Sequence, residues 1–484
     1  MSKEKKDFEE KEKEENERIS RRSFLAGSMG FAVGLASGST TSSLAYPPKE
    51  QVERKIRILE SLYGCPFCGE DFENEQKLKN HIFSNHQNEN ENKKPGITQL
   101  DEPTYEEMVI TELERFNPKY VAFARSVWDQ EYRQKLLEVS DKEEMPHGGF
   151  FSFMEGPKNK EDIISSIQAN GAMYCANNFG NPNKIPYGYV HQTNGGGLYS
   201  WKEPIADEKA EVEDKEELTE HVKRMAELYG ADLVGITELD SKWIYTHQNK
   251  EGLPKPYPGE KLSLDGAPAP ESQTNISYDY AIVMAVEQEW WRLMKSPGYA
   301  HTASTRRGYD DMAMVAPRLA EFIRGLGYAA VPSGNDTTQS IPLAIDAGLG
   351  QIGRHGLLIT PEFGARQRIC KVYTNLPLEQ DKPIDFGMQE YCENCRVCAR
   401  VCPANAVPKG DRFEGTTKSN REGMKRWVVD TPSCLAYWVE SDNSCSNCQA
   451  FCPWSSPTFR RERFGYEKNK EMWGESQIYS EEFY

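Results

Sequence analysis

Eight of the twelve cysteines in this 484-residue chain fall in one stretch, at spacings that bind iron. Cys392, Cys395, Cys398 and Cys402 follow the pattern C-x2-C-x2-C-x3-C, with Pro403 directly after. Cys445, Cys448 and Cys452-Pro453 repeat the closing half, and Cys434, 11 positions before Cys445, replaces the missing first thiolate. Three thiolates at this spacing wrap one Fe–S cube, and the fourth, followed by proline, leaves toward a second cube. The pattern predicts two [4Fe–4S] clusters with crossed ligands. Cys392, Cys395, Cys398 and Cys452 hold one; Cys402, Cys434, Cys445 and Cys448 hold the other. Disulfides or zinc sites are the alternatives. Disulfides would not need this spacing twice, and zinc sites rarely use three cysteines so spaced before Cys-Pro. Two cubes in series carry single electrons, so the rest of the chain must supply what receives them.

A second metal motif stands apart. Cys65-Pro-Phe-Cys68, Phe72, Leu78, His81 and His86 fit C-x2-C-x3-F-x5-L-x2-H-x4-H, a C2H2 zinc-finger pattern that includes the two apolar residues of its miniature core. Two thiolates on a knuckle and two imidazoles about one helical turn apart make a tetrahedral zinc site. Its role is expected to be structural or protein-contacting. It is a single finger, Glu73 to Asn80 mix Glu and Lys, and the chain carries a formal net charge of −17. That charge excludes nucleic acid as the main partner. The two cysteines left over, Cys175 and Cys370, are expected to be buried free thiols.

Ser20-Arg21-Arg22-Ser23-Phe24-Leu25, the weakly apolar Ala26–Ala36 and Ser43-Leu44-Ala45 read as a twin-arginine export signal cleaved after Ala45. That route exports folded proteins, which suits clusters assembled in the cytoplasm. No segment reaches membrane-spanning length. The expected location is the outer face of the cytoplasmic membrane (periplasm or envelope exterior), held there only through a partner.

The elements that must position this chemistry are helices and strands in mixed order. Helical periodicity runs from about Thr104 to Leu136, and 214–228 is an amphipathic helix. Strands are expected at 231–236, 280–286 and 328–331. Helices are expected at about 310–326 and at 342–347, the latter capped at Gly348. Leu357–Ile359 and Ile369–Tyr373 read as a strand pair joined by Pro361–Gly364. Residues 141–205 have little period; Tyr174, Tyr187, Tyr189, Tyr199 and Trp201 could line a pocket there, with ordinary packing as the plainer reading. The fold class is α+β. The expected divisions are 1–45 signal, 60–90 zinc-finger-like element, 100–213 covering region for substrate and cofactor, 214–380 catalytic domain, 381–457 two-cluster domain and 458–484 tail.

Pro332-Ser-Gly-Asn335-Asp, Ile341-Pro-Leu-Ala-Ile-Asp-Ala-Gly348-Leu-Gly350, Arg354-His-Gly356, Leu358-Ile-Thr-Pro-Glu-Phe-Gly364, Arg368 and Lys371-Val372 run straight into the cysteine stretch. With the twin-arginine signal, this resembles the corrinoid iron–sulfur reductive dehalogenases of organohalide respiration, over about 217–454. The resemblance implies a nitroreductase-like domain binding a base-off corrinoid (a cobalamin), followed by a bacterial ferredoxin-like domain. It implies replacement of halogen by hydrogen on an organohalide, with electrons passing through both clusters to the corrinoid cobalt. It places Tyr309 as proton donor and Arg368 as its basic partner. A guanidinium beside a phenol stabilises the anion that proton donation leaves. Thr305, Asn335 and Trp438 fall at the pocket wall. His355 is expected to be a packed or exposed histidine rather than a cobalt ligand, which the family does not take from the protein. A small membrane-anchor protein and a quinol-linked electron donor are the implied partners. The sequence departs from the family at Gln351, where an acidic residue is usual, and in carrying the zinc-type element.

Two rivals share some of these features. An epoxyqueuosine reductase has the same corrinoid and cluster core, but needs tRNA and is cytoplasmic. A two-cluster electron carrier needs far less chain ahead of its clusters than stands here.

Overall fold

The computed structural model describes residues 97–156, 206–245, 278–334, 338–415 and 417–456, with short pieces at 63–64, 71–72, 166–168 and 172. Arg21, Arg22, Cys65, Cys68, His81, His86, Cys175, Asn335 and the aromatics from Tyr174 to Trp201 lie outside the described residues. Two short strands, β1 (Tyr63–Gly64) and β2 (Asp71–Phe72), pair antiparallel with Tyr63 opposite Phe72. After β3 (Thr98–Gln99) come helices α1 (Ala122–Trp128), α2 (Gln130–Glu138) and α3 (Lys215–Leu228). Helix α3 starts where Asp214 accepts the Glu216 and Glu217 amide protons at 2.9 and 3.1 Å, the side-chain cap that satisfies otherwise orphaned donors. Its apolar stripe buries Val222 and Ala226.

The run Tyr280–Glu287 is apolar without alternation, so as a strand it must be covered on both faces. It forms β5, between β4 (Leu233–Glu238) and β9 (Gln367–Thr374), with β6 (Ala330–Ser333) on the far side of β9. The order β4-β5-β9-β6 is antiparallel throughout. Side chains alternate across it. Ile282, Met284 and Val286 join Cys370 and Val372 beneath α3 and α5 (Tyr299–Gly325), which follows the short α4 (Trp290–Leu293). Ala281, Val283, Ile369 and Tyr373 face the other way, toward α6 (Ser340–Asp346), Tyr105, Met108 and Trp243. The expected strands and the α+β class hold. Cys370 is a buried thiol, with burial pushing it up to about 12.

Helix α5 begins eleven residues before the expected Asp310. Gly308 and the polar run from His301 to Arg307 hide its period. Those polar groups find partners instead: the His301 Nδ1–H donates to the Gly298 carbonyl at 2.6 Å, and Thr302 Oγ1 lies 2.7 Å from Ser444 Oγ. The expected pairing of Leu357–Ile359 with Ile369–Tyr373 does not form. β8 (Leu358–Ile359) pairs with β7 (Gln351–Ile352), and β9 is taken on both edges by β5 and β6. The turn between β7 and β8 needs Gly356, whose φ is +74°, a value glycine adopts without strain.

Past β10 (Ile384–Asp385), which pairs with β3, the cysteine segment folds as α7 (Met388–Cys395), α8 (Val397–Arg400), α9 (Thr431–Glu440) and α10 (Asn447–Ala450). It shares a core with the sheet domain: Leu293, Ile359 and Ala365 pack with Phe386, Met388, Tyr391, Phe451 and Trp454. The opposite side of α9 packs on α1 and α2, through Leu435 and Val439 against Ala122, Tyr132 and Leu136.

Candidate active site and cluster cage

Cys392, Cys395, Cys398 and Cys452 line one cavity. Two of these come from α7, one from α8 and one from the turn after α10, so the crossed grouping read from spacing is a spatial grouping. Burial pushes the Cys392 thiol up to about 12 and holds Cys398 and Cys452 well above the ordinary thiol range, each reinforced by its neighbours' charge. The remaining four also converge. Burial raises Cys434 to about 12, and Cys445 and Cys402 add to it; Cys448 is raised by burial and then by Cys434, Cys445 and Cys402. None of the described cysteines is in a disulfide. Among the described residues no three His, Cys, Asp or Glu side chains close on a single metal ion. The Cys392 group lines a shared volume, as a polynuclear cluster requires.

The β7–β8 turn reaches into the first cage. Arg354, fully buried, gives its Nε–H to the Cys392 carbonyl at 2.9 Å and its other protons to the carbonyls of Glu393, Pro408 and Gly410 at 3.1, 3.0 and 2.6 Å. Its guanidinium stacks 4.4 Å from the Trp427 ring centroid. His355 is buried, lines the cage, and accepts the Leu357 amide proton on Nδ1 at 3.2 Å. Burial holds it down to about 4, so the ring is neutral near pH 7.

Tyr309 and Arg368 come together from different elements. Tyr309 is on α5; Arg368 enters β9 opposite Val286 on the same sheet face. The guanidinium lies over the phenol ring, 4.4 Å from its centroid. Gly308 makes room for this: a Cβ there would fall 2.7 Å from Arg368 Cγ. Arg368 also lines an open cleft of about 390 Å³, whose wall runs from the start of α6 past Gln367 and Arg421 to Gln449 on α10. Among the described residues, the buried Arg368 Nε, Arg421 Nε and Nη1, and Gln367 Oε1 have no hydrogen-bond partner. Buried polar atoms left unpaired are costly, so these atoms along one cleft fit a polar ligand there. Tyr105 also lines the cleft and donates its hydroxyl to Asp346 at 2.6 Å; burial raises that carboxyl to about 6.

Thr305 sits one turn before Tyr309 and accepts a hydrogen bond from Gln288 Nε2 at 3.2 Å. Trp438 does not line the cleft. It packs edge-on to Phe123 and Phe150 at 6.0 and 6.1 Å, with its buried indole N–H unpartnered among the described residues. Gln351 is buried and accepts the Phe386 amide proton at 3.3 Å, while its Nε2 has no partner among the described residues. Sequence reasoning missed Arg421 and Gln367 as cleft residues and Arg354 as a cage residue. No local pattern distinguishes Arg421, whose place depends on stacking 4.8 Å from the Trp243 ring, 178 positions away.

Comparison with known proteins bears on both sites. A family described as a 4Fe-4S dicluster domain matches residues 391–456. The chain is 33% identical over 361 residues to a tetrachloroethene reductive dehalogenase of Sulfurospirillum multivorans, covering 70% of each. It is 36% identical over 291 residues to one from Desulfitobacterium hafniense, covering 54% of this chain and 53% of that one. Among solved structures, a reductive dehalogenase described in terms of B12-dependent dehalogenation superimposes with a TM-score of 0.52 at 22% identity, covering 80% of this chain and 50% of that chain. The chain thus spans most of the first relative and about half the length of the other two.

Proposed function

The chain belongs to the reductive dehalogenase family, and from that premise we propose that it replaces halogen by hydrogen on a small organohalide as the terminal step of organohalide respiration. The reaction takes up two electrons and one proton and releases one halide ion. The observation that carries this reading is the Arg368–Tyr309 stack beside a cleft that reaches the cluster-bearing helix α10. We assign two [4Fe–4S] clusters to the two cysteine groups given above.

A base-off corrinoid fits the cleft. The unpaired nitrogens of Arg368 and Arg421 offer donors, and Gln367 Oε1 an acceptor, to its amide and phosphate groups. When bound, it supplies the reduced metal centre at which a carbon–halogen bond is broken. The protein supplies position and the proton. Tyr309 holds that proton on its phenolic oxygen, and the Arg368 charge over the ring stabilises the anion left when the proton goes to carbon. Thr305 and Asn335 are assigned to the substrate wall; Trp438, expected there from the resemblance, packs against Phe123 and Phe150 instead. Replacing Tyr309 by Phe is expected to abolish halide release while iron and cobalt contents stay at the wild-type level. Unchanged turnover would sink the assignment.

The remaining assignments rest on sequence motifs. Arg21 and Arg22 mark export by the twin-arginine route, to the outer face of the cytoplasmic membrane, where a small anchor protein and a quinol-linked donor would serve the enzyme. The C2H2 spacing of Cys65, Cys68, His81 and His86 supports a structural zinc on those four residues. Metal analysis should find one zinc per chain, lost in Cys65→Ser; a wild-type protein free of zinc would contradict it.

A further inference from the structure

We propose that the β7–β8 turn sets the reduction potential of the cluster held by Cys392, Cys395, Cys398 and Cys452. His355 gives its Nε2–H to a cluster sulfur, and Arg354 supplies a buried positive charge beside it. The inference rests on the cluster assignment above and extends it to residues with no part in ligation.

The proton position follows from the turn. The Leu357 amide can only donate, so His355 Nδ1 is the acceptor and the neutral ring carries its proton on Nε2. That Nε2 is buried and has no partner among the described residues, on a residue 5% exposed that lines the four-cysteine cavity. A buried, unpaired N–H on a ring that lines the cage has the cluster sulfurs as its acceptors. The ring has little freedom to turn away. Gly353 and Leu357 close the turn with a 2.9 Å backbone bond, and a Cβ at Gly353 would lie 3.0 Å from His355 Cε1. Arg354 satisfies its protons on carbonyls alone among its side-chain bonds in the described residues. Its charge is therefore not cancelled by a carboxylate at hydrogen-bond distance, and it feels the cage thiols Cys398, Cys392 and Cys395.

Taking one electron from a donor such as reduced viologen adds one negative charge to the cluster. A hydrogen-bond donor and a cation both favour the more negative state, so both raise the potential. Removing either lowers it, and the second cluster, whose cysteines lie outside this cavity, is left where it was.

The test is a potentiometric titration of the full, cluster-loaded protein followed by electron paramagnetic resonance. His355→Leu should disfavour reduction of one cluster at least tenfold, about 59 mV lower for a one-electron couple, with the other unmoved. His355→Gln, which keeps an N–H donor, should recover part of the shift, and Arg354→Gln should move the same cluster in the same direction. Wild-type protein labelled with 15N-imidazole histidine needs no variant to fold: its reduced cluster should show a nitrogen coupling by pulsed resonance. Two normal cluster signals with no such coupling, or equal potentials in His355→Leu and wild type, would overturn the inference alone. A loaded wild-type protein with no four-iron signals would overturn the cluster assignment and this inference with it.

Discussion

Gly308→Ala separates the catalytic pair from the stability of the helix that carries it. In an open helix, alanine is better than glycine by about 1 kcal/mol. Here the new methyl would stand 2.7 Å from Arg368 Cγ and 3.4 Å from its Cβ. Those atoms are close to the β9 backbone, which is fixed by pairing with β5, so the side chain must swing off the Tyr309 ring. Overpacking of this kind costs roughly 1–3 kcal/mol, leaving a net stability loss of about 0–2 kcal/mol once helix propensity is offset. The lost guanidinium–ring contact is worth about 0.5–2 kcal/mol. If that contact acts on the proton-donating step, halide release falls roughly 2- to 30-fold. Gly325→Ala, on the same helix with nothing within 4 Å of the added methyl, should be neutral or stabilising by up to about 1 kcal/mol, with activity unchanged. Initial rates of halide release and thermal melting of the three loaded proteins decide it. A Gly308→Ala enzyme with wild-type kcat would refute the role given to the stack.

Two further expectations concern protons. Burial raises the Asp346 carboxyl from 3.8 to about 6, so the fold favours its neutral form. The stability this contributes is fully present below the ordinary carboxyl value and is lost as pH rises through about 6; its size is on the order of 3 kcal/mol. Asp346→Asn should remove that part of the slope in urea midpoints between pH 4 and 7, and an unchanged slope would contradict the placement. The cage thiols must lose protons that burial holds on Cys392 and Cys434 up to about 12. Anaerobic cluster reconstitution should therefore release protons and weaken as pH falls from 8 to 6; pH-independent iron loading would be the contrary result.

How much of this was legible in the sequence depended on whether a signal was local. The cysteine groups were, because the crossed cages follow from spacing and from Pro403 and Pro453. The long apolar run of β5 and the capped α3 were legible for the same reason. Helix α5 was read short because Gly308 and its polar neighbours break the period, and that glycine is there to admit Arg368 from another strand. The β8 partner was missed because Leu358–Ile359 is too short to choose between neighbours, and the choice is made by a glycine turn at Gly356. His355 was read only as packed or exposed; its significance lies in an unpaired nitrogen that exists only once the cage is closed around it. Arg354 and Arg421 have no pattern of their own, since their partners are carbonyls and rings brought together by the fold.

The most direct measurement is the electron-to-halide stoichiometry of the loaded wild-type protein over a panel of chlorinated alkenes, alkanes and aromatics, with reduced viologen as donor. Proposed as a reductive dehalogenase, the protein should release one halide for every two viologen radicals oxidised on at least one substrate of the panel. Viologen oxidation with no halide released from any of them, in protein that holds iron but no cobalt, would leave a two-cluster electron carrier and contradict the proposed activity.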